Sequence, residues 1–306
     1  MTRHVAVRLA DGWQARADPA WLGAWRPERF DLGDGTTEIV TMGEGRPLLL
    51  VPPLPGYKEA WLALAPRLAR TFRVITFDLR TRFAGRPSWN TLLADLERVA
   101  DAFAPGPAIV LGHSLGGALA QRRALARPDR VAALVLSSAF ARVAGTRGHW
   151  RKRYVEQARV LIGQRWLPEP IAARVARRDA ARGAWVYDAA CDERILAFMR
   201  HAIRRTPIAV ARRAVALAFT HDLGADLPRI AAPTLVVVGE RETAWARSAS
   251  GDLAARISGA TLRVSPGVAH LHPLSAPGWL AETVTSWLGA LHAPGVGGTV
   301  PGCAAR

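Results

Sequence analysis

The stretch Gly112-His113-Ser114-Leu115-Gly116-Gly117 carries the clearest chemical pattern in this chain, a serine with a glycine two residues away on either side. An apolar run at 108–111 precedes it and a helical stretch at 117–127 follows. Strand, tight turn and helix together form the setting in which a serine is lifted above a sheet as a nucleophile. The reason is steric: the turn is strained, and side chains two residues before and after the serine would strike neighbouring backbone. The helix that follows aims its first amides at any negative charge that develops there. A hydroxyl is a weak nucleophile, so this chemistry also needs an imidazole to take its proton and an acid to orient the imidazole. The competing reading is a glycine turn holding an ordinary serine; the placement between strand and helix favours the nucleophile.

The rest of the chain has the rhythm needed to build such a site. Short apolar, β-branched runs at 38–41, 47–51, 73–77, 108–111, 131–136, 234–238 and 261–264 alternate with helical stretches at 59–69, 91–102, 117–127 and 276–291. Several runs are continuously apolar, as strands covered on both faces are. This order predicts an α/β protein with a doubly wound, mostly parallel sheet. The alternation lapses from 141 to 222, where the spacing is helical and prolines fall at 168, 170 and 207. The expected organisation is a core of residues 1–140 and 223–291, a helical insertion at 141–222 and a disordered tail at 292–306. The first thirty residues are expected to give an early strand and a packing arm.

With these elements in place, the sequence resembles the α/β-hydrolase superfamily, in its capped serine-esterase-like branch, over residues 36–291. The resemblance implies a base after the last strand and before the final helix, which is His270, with His272 as the fallback. His113, beside the serine, is read as packing or contacting substrate. Relatives often carry Gly-Asp-x-Asp after the preceding strand; here it reads Gly239-Glu240-Arg241-Glu242, which makes Glu242 the implied acid, one methylene longer than usual, with Glu240 and Asp222 as rivals. The other acid position used in the superfamily falls on Ser137-Ser138 and offers no carboxylate. The chain order Ser114, Glu242, His270 is the order expected for this fold. One oxyanion donor is implied at the Leu115 amide. The second belongs to the loop after 47–51, where Pro52-Pro53-Leu54-Pro55-Gly56-Tyr57 replaces the usual His-Gly. Proline has no N–H, so Leu54 is the only donor across 52–55. The Tyr57 hydroxyl is a weaker candidate for the pocket. Asp78-Leu79-Arg80 begins like a motif that usually supports the fold, without its glycines, and is read as structural.

The implied activity is hydrolysis of a carboxylic ester through an acyl-enzyme, on a small-molecule acyl substrate. Carbon–carbon bond hydrolysis, acyl transfer and a cofactor-free peroxidase-like side activity use the same scaffold. A ligand-binding relative that keeps the triad without turnover is the reading from another class. Trp150, Trp166, Trp185, Phe198 and Met199 are candidates to line an apolar pocket, with Trp150 and Trp185 favoured for substrate contact. The formal charge is +16, and only two of the 41 basic residues are lysine. The arginines are spread out, without a basic tract or aromatic interleaving, so nucleic acid is not the expected partner. Residues 141–222 hold 17 basic and 7 acidic residues, which raises selection of an anionic substrate or partner against a simpler solvated face. The two cysteines lack metal-site spacing, no Walker or dinucleotide glycine pattern occurs, and no metal or organic cofactor is expected. No apolar run has the length of a membrane span and the start lacks the apolar core of a secretory signal, so the expectation is a cytoplasmic protein. The sequence leaves the oligomeric state open.

Overall fold

A computed structural model describes residues 25–80, 88–143, 165–183 and 187–291. Eight strands form one sheet: β1 (Pro27–Asp31), β2 (Thr36–Met42), β3 (Arg46–Val51), β4 (Phe72–Phe77), β5 (Ala108–His113), β6 (Val131–Ser137), β7 (Thr234–Gly239) and β8 (Thr261–Ser265). Their order is β1-β2-β4-β3-β5-β6-β7-β8. β1 and β2 pair antiparallel, β2 joins β4 antiparallel, and every later pairing is parallel. The helices are α1 (Ala65–Leu68), α2 (Trp89–Phe103), α3 (Leu115–Ala126), α4 (Glu169–Ala181), α5 (Glu193–Arg205), α6 (Ile208–Phe219), α7 (Ala244–Arg256), α8 (His272–Ser275) and α9 (Pro277–Ala290).

The continuous apolar strands have two covered faces. Leu48, Leu50, Ile109 and Leu111 enter one core with Trp61 and Leu280. Leu49, Val51, Val110 and Phe77 enter the other with Leu96 and Leu119. Each fully buried side chain of this kind contributes about 1.5–3 kcal/mol of transfer free energy. β3 lies between β4 and β5, so the chain crosses back over β3 and the winding reverses there. Crevices beyond the carboxyl ends of strands at such a reversal are where ligands bind in open α/β sheets.

All seven strands placed by the sequence are present, and β1, an antiparallel edge, begins within the first thirty residues, where an early strand is expected. The expected helix at 59–69 divides instead into a 3-10 turn, Lys58–Trp61, and the short α1. Pro66 sits in the first turn of α1 and cannot donate back to residue 62, so no continuous helix passes through it. Between β6 and β7 the described chain is helical (α4, α5 and α6), and its two ends meet in a single bridge, Arg142 to Asp222.

His221 lies where this segment rejoins the sheet, with its ring 5.0 Å from that of Trp89 and 5.6 Å from that of Phe140. Burial, with Arg122 nearby, pushes its pKa down to about 3. The folded value is below the unfolded one, so stability held above pH 6.5 is lost as pH falls toward 3. His221→Phe removes this liability. Relative to the native chain, the variant gains about 2 kcal/mol on going from pH 7 to pH 5, read by urea denaturation at both pH values. A difference that does not change with pH would show that His221 is not held neutral.

Candidate active site

Ser114 stands between β5 and α3 with φ 53° and ψ −116°, a left-handed conformation unusual for a residue with a side chain. Its amide donates to Ser137 O at 2.9 Å, which fixes the turn against β6. A Cβ on Gly112 would overlap the Gly116 carbonyl, and one on Gly116 would overlap the carbonyls of Val51 and Pro52. The two glycines are therefore what allow the turn to pack against the end of β3. Among the described residues Ser114 Oγ makes no hydrogen bond. Such bonds often tighten only when substrate is bound.

The Leu115 amide opens α3, and Leu54 lies in the turn after β3 that Gly56 N closes on Pro53 O at 2.7 Å. Neither amide has an acceptor among the described residues. A buried ionic cluster backs this turn. Lys58, with a side chain 1% exposed, contacts Glu38, Glu59 and Asp78 at 3.0, 2.9 and 3.0 Å. Its amide also donates to Asp78 Oδ1 at 2.8 Å, and Gly56 O accepts from Leu79 N at 2.8 Å. Three carboxylates share one ammonium. Burial, and then the Asp78 charge, push the Glu59 carboxyl up to about 7, although Lys58 pulls it down. Arg80 pairs with Asp34 and Asp95.

His270 follows β8, and its Nδ1 lies 2.7 Å from Glu242 Oε1. A carboxylate only accepts, so Nδ1 carries a proton, and in the neutral ring the lone pair is on Nε2. Burial pushes the Glu242 carboxyl up, but the charge and hydrogen bond of His270, with Ser138 and His272 adding, hold it down at about 2. The rivals are occupied elsewhere. Glu240 Oε2 accepts from Gly267 N at 2.7 Å, and Asp222 Oδ1 from Gly224 N at 3.1 Å.

His272 is fully buried with both ring nitrogens engaged, Nδ1 by Ala269 O at 3.2 Å and Nε2 by Ser137 Oγ at 2.6 Å. Burial pushes its pKa down to about 4. Both of its ring nitrogens are thus occupied by protein partners. The Ser137 hydroxyl also meets His113 Nδ1 at 2.9 Å. The His113 ring packs 4.8 Å, centroid to centroid, from that of His270. Burial, then the nearby charges of His270 and His272, push the His113 pKa far down. His113, read from sequence as packing or substrate contact, is buried and links the strand carrying Ser114 to the loop carrying His270. The Ser137–His272 contact was not foreseen; the only sequence signal was a second histidine two residues after the first.

The chain between β6 and β7 touches the candidate site from two sides. Tyr57 Oη lies 3.0 Å from Thr206 Oγ1, so this hydroxyl ties the turn after β3 to the end of α5. The buried Asp188 carboxylate accepts from the Ala269 amide, next to His270, and nothing in the sequence pattern marked it. Trp150 and Trp185 lie outside the described residues. Phe198 is buried in the same core as Leu48 and Trp61 and Met199 packs on it, whereas Trp166 is 69% exposed. A recess of about 110 Å³ between Arg142, Gly224, Trp245 and Arg256 includes none of the candidate site residues. Among the described residues, no helix is long and apolar enough to cross a membrane.

Comparison with known proteins agrees with this architecture. A pimeloyl-(acyl-carrier protein) methyl ester esterase from Nitrosomonas europaea is 27% identical over 249 residues, 78% of this chain and 94% of that protein. The crystal structure of a hydrolase from Pseudomonas aeruginosa PA01 superposes with a TM-score of 0.69 at 27% identity, covering 86% of this chain and 98% of that one. A thermophilic esterase from Thermogutta terrifontis shares the fold at a TM-score of 0.69 and 24% identity, covering 88% of this chain and all of that one. The profile of the alpha/beta hydrolase family matches residues 48–283, and the chain belongs to that family of enzymes.

Proposed function

We propose that the protein is a serine hydrolase of carboxylic esters, with Ser114 as nucleophile, His270 as base and Glu242 as the orienting acid. The observation that carries this reading is the 2.7 Å contact between His270 Nδ1 and Glu242, on an imidazole packed at a tilt against the residue next to a strained serine. His270 Nε2 takes the Ser114 proton as Oγ attacks the ester carbonyl. The amides of Leu115 and Leu54 hold the oxyanion. The imidazolium then protonates the departing alcohol. Water, activated by the same imidazole, releases the acid from the acyl-enzyme and restores the serine. Glu242 stays ionised throughout and stabilises the imidazolium at each stage. Residues 141–222 act as a cap on a core formed by 1–140 and 223–291, and the substrate is a small acyl ester. Esterase names among the relatives support the bond type; the choice of ester belongs to the cap.

The test is covalent. A fluorophosphonate probe labels Ser114, identified by peptide mass spectrometry, and the same preparation hydrolyses a short-chain nitrophenyl ester. A folded protein that neither reacts with the probe nor turns over the ester would instead be a binding protein.

A further inference from the structure

We propose that the solvent face of α6, continued by Trp166 and Ile171, is a docking surface for an anionic lipid bilayer. The twelve residues of α6, IAVARRAVALAF, include no acid. Ile208 is 52% and Phe219 45% exposed, and Ala209, Arg212, Arg213 and Ala216 are also exposed. At 3.6 residues per turn, Ile208, Arg212 and Phe219 fall within about 40° of one another around the helix. Arg212 and Arg213 make no ion pair among the described residues. Trp166 belongs to the same patch because its neighbour Arg165 clamps the end of α5, donating to Ile203 O, Arg204 O and Thr206 O at 3.1, 3.2 and 2.7 Å. Ile208 follows two residues after Thr206. Ile171, 48% exposed, lies in the first turn of α4.

Isolated exposed apolar residues are ordinary on soluble proteins. Here a tryptophan and two isoleucines lie on segments tied to the end of α5, by Arg165 next to Trp166 and by Glu169 in the turn of Ile171, beside a helix whose only charges are arginines. Large apolar residues sharing a helix face with arginine, with tryptophan nearby, are found in helices that lie in the interfacial plane of a bilayer, with tryptophan at headgroup depth. The arginines complement anionic headgroups. The outward helix face runs about 16 Å, a shape that suits a deformable lipid surface better than a fitted protein partner. The bond from Thr206 to Tyr57 places the start of α6 beside the turn after β3. Docking would therefore bring the candidate active site close to the lipid. The inference does not depend on the triad assignment.

The experiment is co-sedimentation of the full chain with phosphatidylcholine vesicles, with and without about one-third phosphatidylglycerol, at low salt. The native chain is expected to bind the anionic vesicles at least about tenfold more strongly than the neutral ones. Ile208→Asp, and separately the pair Arg212→Glu and Arg213→Glu, abolish the difference. The pair Arg70→Glu and Arg263→Glu, an equal charge change at exposed positions outside α6, retains it. All variants keep native circular dichroism and native hydrolysis of the soluble nitrophenyl ester. Three results would overturn the proposal: no binding by the native chain, binding indifferent to Ile208→Asp, which would reflect the overall positive charge, or a dimer without lipid that Ile208→Asp dissociates, which would make a second copy the occupant.

Discussion

Ser114→Ala is expected to lower kcat for ester hydrolysis by at least about 10⁴-fold and to abolish fluorophosphonate labelling, while the fold is unchanged. The loss is this large because the hydroxyl is the group that forms the covalent bond. The amides of Leu54 and Leu115 remain, so a residual rate above water is expected from the oxyanion site and binding alone. The stability expectation comes from the turn itself. Ser114 makes no side-chain cap on α3, and the amide that holds the turn, donating to Ser137 O, is retained in alanine. The thermal midpoint therefore shifts little. Undiminished turnover in a folded Ser114→Ala protein would end the proposal; a fall in turnover that tracked unfolding would leave the serine a structural role only.

Lys58→Met should cost about 3–5 kcal/mol of folding free energy, the usual penalty for removing one partner of a buried ion pair. The methionine fits the volume and leaves three carboxylates with no cation. The sign of the pH dependence follows from those acids. Burial, and then Asp78, already hold the Glu59 pKa at about 7, and Asp78 too is raised, chiefly by burial. Without the ammonium both rise further, so the folded state resists their ionisation and the deficit grows with pH above the ordinary carboxylate range. Urea denaturation at pH 5 and pH 8 reads this directly. The variant should lie nearer the native chain at pH 5 than at pH 8. A deficit that is the same at both would mean that packing, not charge, accounts for the loss. The turn that presents Leu54 is built on this cluster, through Gly56 and Lys58, so the variant also tests how firmly the candidate oxyanion donor is held.

The inner strands were legible because each buries a run of side chains on both faces, and such runs persist in sequence whatever the loops do; β8 kept an apolar run although Leu262 and Val264 are exposed at the sheet edge. β1 was harder to see, since Pro27–Asp31 is an edge strand held by backbone pairing to β2 with little buried surface. The split of the 59–69 helix was foreseeable in principle from Pro66 but lay beneath an otherwise helical spacing. α7 has no marked apolar stripe and left little periodic trace. At the candidate site, Ser114, His270 and Glu242 could be read because each follows a strand at a motif-bearing turn, and the structure brings Glu242 and His270 into contact. The supporting groups were not legible. Asp188 and Ala269 are 81 residues apart, and Ser137 and His272 are 135 apart. Their partnership depends on how the inserted segment and the sheet ends come together, which no local pattern records.

The order of strands along the polypeptide has a consequence for synthesis. The turn that carries Ser114 is fixed once β6 has emerged and Ser137 O can accept from its amide, whereas the imidazole proposed to activate it arrives only after β8. A growing chain therefore carries its serine for a long interval with nothing to deprotonate it. On the proposed triad, acyl chemistry waits until the last strand has docked.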